Sequence, residues 1–210
     1  MERLHYMNLN DTHRNELIRL ARASVVEGFA DRPWPAKPPG SETCATALQA
    51  LRGSFVTLRR QKQLRGCCGT VTATRSLYDD VWQNAWAAAF ADPRFSPLAA
   101  DEWPEINVHL SVLSPLEIMH VANEQELIAQ LRPNIDGLLL ERDDSRATFL
   151  PDVWEQVPDP VDFVRHLKQK AGWPAAGWSW QIKVWRYTTE SFGEPTHENG
   201  IGSKKASRWA

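Results

Sequence analysis

This chain of 210 residues contains almost nothing arranged to hold a cofactor. Cysteine is scarce: three residues, two of them adjacent, make a poor disulfide framework and point to a reducing compartment. Neighbouring Cys67 and Cys68 point to opposite faces of a strand and lack the spacing of a chelating pair. With no H-E-x-x-H and no Cys/His cluster, no metal site is expected. There is no Cys triad for an iron–sulfur cluster, so the chain does not read as a radical enzyme. No G-x-G-x-x-G opens a helix after a strand and no Walker lysine follows the glycines, so no nucleotide cofactor is expected. No apolar run approaches the roughly 20 residues of a membrane span, and the first ten residues carry no signal-like core. The expected location is the cytoplasm. A formal charge of -2 gives no overall basic field, so nucleic-acid or membrane-surface binding would need a local patch. No internal repeat or low-complexity tract is present.

What is present is ordinary globular material, 42% apolar and 24% charged, with ten tryptophans. Trp82 and Trp86, and Trp178 and Trp180, recur at helix or strand spacing and read as core. Asp11 or Thr12 can cap a first helix whose apolar stripe is Leu17, Ile18, Ala21, Val25 and Phe29, ending near Gly28. A proline-rich loop holding Trp34 follows. Strands over 53–59 and around Cys67 form a hairpin about Gln61 and Lys62. Leu77, Val81, Trp82, Ala85, Trp86 and Ala89 mark a second helix that stops before Asp92-Pro93. Ile106, Val108, Leu110 and Val112 alternate with polar residues, which puts His109 on the polar face of a strand. Asn123 caps a short helix, and segments 137–141 and 147–150 flank the turn Arg-Asp-Asp-Ser. Asp159 and Pro160 open a helix stopped by Gly172, and a strand is expected over 178–187. Helices and hairpins mix without strict βαβ alternation, so an α+β fold with an antiparallel or mixed sheet packed with helices is expected.

The stretch Leu64-Arg65-Gly66-Cys67-Cys68-Gly69-Thr70 carries the chemistry. In a regular strand Arg65, Cys67 and Gly69 share one face, while Leu64, Gly66, Cys68 and Thr70 share the other. Cys68 then reads as a small core hydrophobe, and Cys67 as a thiol beside a permanent cation that favours its thiolate. Gly66 and Gly69 indicate a bulge or a close approach by another backbone or a ligand. Arg59, Arg60, Lys62 and Arg65 form either a solvated turn or an electropositive rim.

Together with Gly53-Ser54-Phe55-Val56-Thr57-Leu58, Asp92-Pro93-Arg94-Phe95, Leu110-Ser111-Val112-Leu113-Ser114, Leu150-Pro151-Asp152-Val153-Trp154 and Lys170-Ala171-Gly172, this stretch resembles the AMMECR domain family. The likeness runs over roughly residues 17 to 192 in the family's order, with Cys68 in place of the usual Ile. It implies one domain over 1–192, with a larger lobe from N- and C-terminal parts, a smaller middle lobe and a cleft for binding; beyond it, glycine, serine and lysine with little apolar periodicity read as a loose tail over 193–210. Because the family includes protein A of the AmmeMemoRadiSam system, the resemblance also implies a Memo-like protein and a radical SAM enzyme as partners.

Two functions follow from these residues. In the first, Cys67 is a nucleophile helped by Arg65, with His109 or Glu141 as base, acting on a small or peptide-borne anionic group. That group would be held through Gly66, Cys68, Gly69 and Thr70. In the second, the domain is a non-catalytic accessory module, anchored to its partners by Trp34 or Trp103. A plainer reading stands beside both, in which the glycines let another element pack closely on the cysteine.

Overall fold

The computed structural model describes residues 9–30 and 37–194; the expected loop with Trp34 and the tail beyond Glu194 lie outside them. Its first hairpin is β1 (Ser54–Arg60) and β2 (Gln63–Gly69). Gln61 and Lys62 turn the chain with φ of 49° and 69°, the left-handed pair that a two-residue hairpin loop requires. β3 (Ile106–Leu113) pairs with β1 and β8 (Thr189–Gly193) with β3, giving an antiparallel sheet in the order β2-β1-β3-β8.

One face of this sheet is covered by α1 (Asp11–Gly28) and α3 (Leu77–Phe90), with the one-turn α2 (Thr46–Gln49) beside α3. Asn10, one residue ahead of the expected caps, closes α1 with a bond from the His13 N–H at 2.9 Å. Val56, Leu58, Val108, Leu110 and Val112 meet Leu17, Ala21, Val25, Val81 and Ala88 in the first core. The fully buried Asp80 carboxylate pins the start of β1 by accepting from the N–H and Oγ of Ser54 at 2.9 and 2.7 Å. It also accepts from Asn84 at 2.8 Å and Arg75 at 2.9 Å, and its burial still raises its pKa.

The second sheet has the order β4-β7-β5-β6 and is also wholly antiparallel. It contains β4 (Glu117–Met119), β5 (Gly137–Arg142), β6 (Ser145–Phe149) and β7 (Lys183–Tyr187). Leu138, Leu140 and Val184 pack beneath α4 (Glu124–Gln130) and α5 (Pro160–Lys170), where the Trp154 ring stacks on Phe163 at 3.8 Å. The faces that the helices leave uncovered meet through Leu113, Phe55 and Val71 from one side and Leu139, Tyr187 and Trp185 from the other. The expected α+β fold is therefore realised as two antiparallel sheets. The first sheet draws on both ends of the chain, and residues 114–188 build the second.

Three expectations change. The strand expected over 178–187 begins only at Lys183, because residues 179–182 form a turn closed by the Ile182 N–H on the Ser179 carbonyl at 3.1 Å. Trp180 is accordingly 87% exposed instead of core. The chain then crosses at Thr188 into β8, a strand the periodicity did not reveal, so Gly193 is paired with His109 instead of opening a loose tail.

The second hairpin strand is also not regular. Leu58 pairs with Gly66 but Arg59 with Leu64, so Arg65 is the extra residue of a β-bulge. Leu64 consequently leaves the core side and is 38% exposed. Gly66 faces α3 so closely that a Cβ there would lie 2.0 Å from the Ala88 carbonyl oxygen, a backbone atom that cannot swing aside. Gly66→Ala is expected to destabilise the protein by about 2 kcal/mol through overpacking, read as a lower urea midpoint, and an unchanged midpoint would show that α3 yields.

Candidate functional site

Cys67 lies beyond the bulge with Thr57 as its cross-strand partner, on the face that meets the second sheet. The Thr70 N–H donates to the Ser54 carbonyl at 2.9 Å, so even-numbered residues at this end of β2 bond to β1. The Cys67 N–H therefore points outward, to Asp92 Oδ2 at 2.9 Å, and its thiol lies beside the Thr57 hydroxyl, Sγ to Oγ1 3.5 Å.

Asp92 is brought there by the end of α3. Its carboxylate also accepts from Arg94, Nε on Oδ1 at 3.0 Å, Nη2 on Oδ2 at 2.7 Å and the N–H on Oδ1 at 3.1 Å. The Arg94 guanidinium, followed by the Cys67 and Arg94 N–H groups, holds the Asp92 pKa at about 2 against the effect of burial. Arg94 itself remains more than half exposed, and its pKa is raised by Asp92 first and by Cys67 last. From the second sheet comes Lys170, in the last turn of α5, which Gly172 terminates with φ 78°. Its ammonium donates to the Thr148 carbonyl at 3.0 Å and lies 5.2 Å from the centre of the Phe149 ring. Lys170 keeps exposed surface, yet the atoms crowded around its ammonium push its pKa down; Cys67 pulls it up and Arg94 pushes it down further. Arg94 is thus tied through Asp92 to the backbone of Cys67.

The residues singled out in the sequence divide. Arg65 is not the cation beside Cys67. Displaced by the bulge, it makes a two-pronged bond to Glu102 at 3.0 and 2.8 Å and donates to the Ser96 carbonyl at 3.0 Å. Glu102 is held at about 2 by Arg65 first and by the Ala99 N–H next. Arg60 is likewise bound to Glu105 at 2.9 Å, so the basic rim is largely neutralised. Gly66, Cys68 and Thr70 belong to the side of β2 that faces α3. Cys68 packs on the first core and burial raises its thiol pKa, while Thr70 Oγ1 donates to Asn84 at 3.3 Å. Gly69 lies against the Phe55 ring. These are packing contacts, as the plainer reading of the glycines anticipates.

His109 shares the face of Cys67 but stands two strands away, with Thr57 between them. At a strand spacing of about 4.8 Å that is roughly 10 Å, beyond a direct hydrogen bond. Burial lowers its pKa, Arg59 lowers it further and Asp152 opposes both. Glu141 sits on β5 with Arg146 and Lys183 as cross-strand neighbours, neither of which belongs to the Cys67 cluster. Trp103 is half-buried beneath Arg22, whose guanidinium lies 4.3 Å from its ring centre, and it packs on the first core instead of offering a free anchor. Among the described residues no group of three His, Cys, Asp or Glu side chains is placed to hold a metal ion. No described helix is long and apolar enough to cross a membrane.

Thr57, Asp92, Arg94 and Lys170 were missed as site residues. The Asp-Pro-Arg-Phe and Lys-Ala-Gly runs that hold three of them were visible as motifs, but nothing in their spacing shows that they converge.

Comparison with known proteins places these motifs in a wider set. A model of the AMMECR1 family matches residues 18–192. A protein of Methanothermobacter thermautotrophicus is 30% identical over 197 residues, which are 93% of this chain and 99% of that protein. One from Thermococcus kodakarensis is 35% identical over 189 residues, covering 85% and 88% respectively. The crystal structure of an uncharacterized protein from Pyrococcus horikoshii superposes with a TM-score of 0.76 at 30% identity, over 89% of this chain and 93% of that one.

Asp92 and Glu102 are both depressed, so their ion pairs stabilise the fold fully above the ordinary carboxylate range near 4 and lose that effect as pH falls through about 2. The urea midpoint is expected to drop steeply over that window, and Asp92→Asn to flatten the drop. An identical acid limb in the variant would show that Asp92 carries none of it.

Proposed function

The chain belongs to the AMMECR1 family, and from that premise we propose that it is a thiol-dependent enzyme whose nucleophile is Cys67, acting on a small or peptide-borne group. The observation that carries this reading is the position of the thiol, at the seam between two sheets and beside the Asp92–Arg94 ion pair that takes its backbone N–H. Two rigid sheets are suitable supports for a reacting centre. His109 is the proposed base. It lies across Thr57 from the thiol on the same face of the sheet, and its lowered pKa favours the neutral, proton-accepting imidazole.

The family likeness adds a setting to this proposal: a Memo-like protein and a radical SAM enzyme as partners, in the reducing cytoplasm that three unpaired cysteines suit. An accessory role without chemistry is the second reading. Trp180 favours it, since a tryptophan 87% exposed beside the second sheet is an anchor for a partner.

Iodoacetamide at neutral pH is expected to label Cys67 ahead of Cys44 and Cys68, whose thiol pKa values are both raised, by burial above all. Faster labelling of either would remove the nucleophile assignment. Cys67→Ser is expected to fold normally and to lower turnover of the protein reconstituted with its two partners by about 10³-fold or more, the scale on which loss of a nucleophile acts. Unchanged turnover in that variant would favour the accessory role, and loss of folding would favour a packing role for Cys67.

A further inference from the structure

A cavity of about 210 Å³ lies between the end of α5 and the segment that leads into β7. It is smaller than the roughly 300–1,000 Å³ of sites for drug-sized molecules, and so of a size for a small metabolite. Arg142 and Lys168 line it, and among the described residues no carboxylate does. None of its lining residues belongs to the Cys67 cluster.

The chain builds this cavity as it leaves α5. The Trp173 N–H turns back to the Lys168 carbonyl at 3.0 Å, and the buried Trp173 ring then lies 4.7 Å beneath the Arg142 guanidinium, measured to the ring centre. Trp178 and Ile182 continue the apolar wall and pack on the second core. The Lys168 side chain is only 1% exposed. Its ammonium donates to Glu124 Oε2 at 2.6 Å and to the carbonyl of Gly177, which adopts φ 91°, at 2.9 Å. An ammonium has three N–H groups, so one is left without an acceptor among the described residues. Arg142 is less committed still. Its Nε stands 3.8 Å from Asp143 Oδ2, beyond hydrogen-bond reach, and its guanidinium donates to no described residue. Stacking on Trp173 holds the plane of that fork and leaves its edge free for an anion.

The charges select the ligand. Glu124 matches Lys168 within the protein. Arg142 has only Asp143, whose side chain is 73% exposed and screened by water, so one positive charge is open to a ligand. A monoanion meets that charge, whereas a dianion would bring surplus negative charge toward Glu124. The rings of Trp173 and Trp178 and the side chain of Ile182 ask for an apolar body. We propose that this cavity binds a small monocarboxylic acid with an apolar body, its carboxylate on Arg142 and Lys168 and its body against Trp173, Trp178 and Ile182. The site stands whether or not Cys67 is a nucleophile.

Fluorine NMR of para-fluorobenzoate with the intact protein tests the proposal, with para-fluorobenzamide as the probe of the same shape and no charge. Saturable binding of the benzoate is expected with a Kd of about 1 mM or tighter, within the range open to a ligand of this size. The benzamide is expected to bind at least about tenfold more weakly, the scale on which a charged hydrogen-bond partner acts. Arg142→Gln is expected to weaken the benzoate by a similar factor, and Ala176→Glu, which puts a negative charge at an exposed position of the lining, to do the same. Both variants are expected to keep the urea midpoint, and Cys67→Ser to keep the affinity. Absence of saturable binding, equal binding of the two probes, or an affinity indifferent to Arg142→Gln and Ala176→Glu overturns the proposal. So does a loss of binding in Cys67→Ser with none in Arg142→Gln, which would put the ligand at the thiol. Displacement of the benzoate by inorganic phosphate more readily than by acetate at equal ionic strength overturns the carboxylate assignment.

Discussion

Helix α3 must approach β2 at Gly66, where the Ala88 carbonyl occupies the space a side chain would need. Much of the molecule depends on this contact. It fixes the depth at which α3 lies on the first sheet, and so the closure of the core between Val56, Leu58 and Ala88. The helix itself ends ahead of Asp92-Pro93, because a residue before proline disfavours the helical conformation. Two residues past Phe90 the chain delivers Asp92 to the outer edge of β2, where the carboxylate takes the Cys67 N–H that an edge strand leaves unpaired. The same carboxylate then orients Arg94. A packing constraint on one side of the strand thereby places a cation near the thiol on the other.

The bulge at Arg65 is the second decisive feature. Counting back from the two-residue turn at Gln61 and Lys62, a regular hairpin would pair Cys67 with Val56 and point its thiol into the first core. The extra residue moves the pairing to Thr57 and brings the thiol to the seam. A one-residue shift exchanges the two faces of a strand, so the turning of Cys67 to the seam and of Cys68 to the first core share one cause. Arg65, released from the regular pleat, is taken up by Glu102 and ties β2 to the loop following α3.

The two sheets are joined at closely spaced crossings. The Ser114 N–H donates to the Thr188 carbonyl at 2.9 Å and the Thr188 N–H to Ser114 Oγ at 2.9 Å, just where the chain leaves β3 and again where it enters β8. With Leu113, Leu139 and Tyr187 buried beside this double bond, the seam is an apolar interface as well as a place where charged groups gather.

Local signals in the sequence were sufficient for much of the fold. Apolar periodicity located α1, α3, α5 and β3, turn chemistry located both hairpins, and the α+β class followed from their order. The family was legible too, because several motifs recurred in order. Cys68 was correctly read as a core residue and Cys67 as the one on the opposite face. The partner of Cys67 was not legible, since the cation adjacent in sequence is displaced by a bulge that no residue pattern announces. Strand β8 was missed for a related reason: five residues with little apolar character become a strand only because β3 offers an open edge. What the sequence by itself determined was most of the elements and the face on which most of their apolar side chains lie, because both follow from local geometry. Only the tertiary structure decided that Asp92 and Arg94 meet at Cys67, because that requires α3 to settle on Gly66 and the strand to bulge.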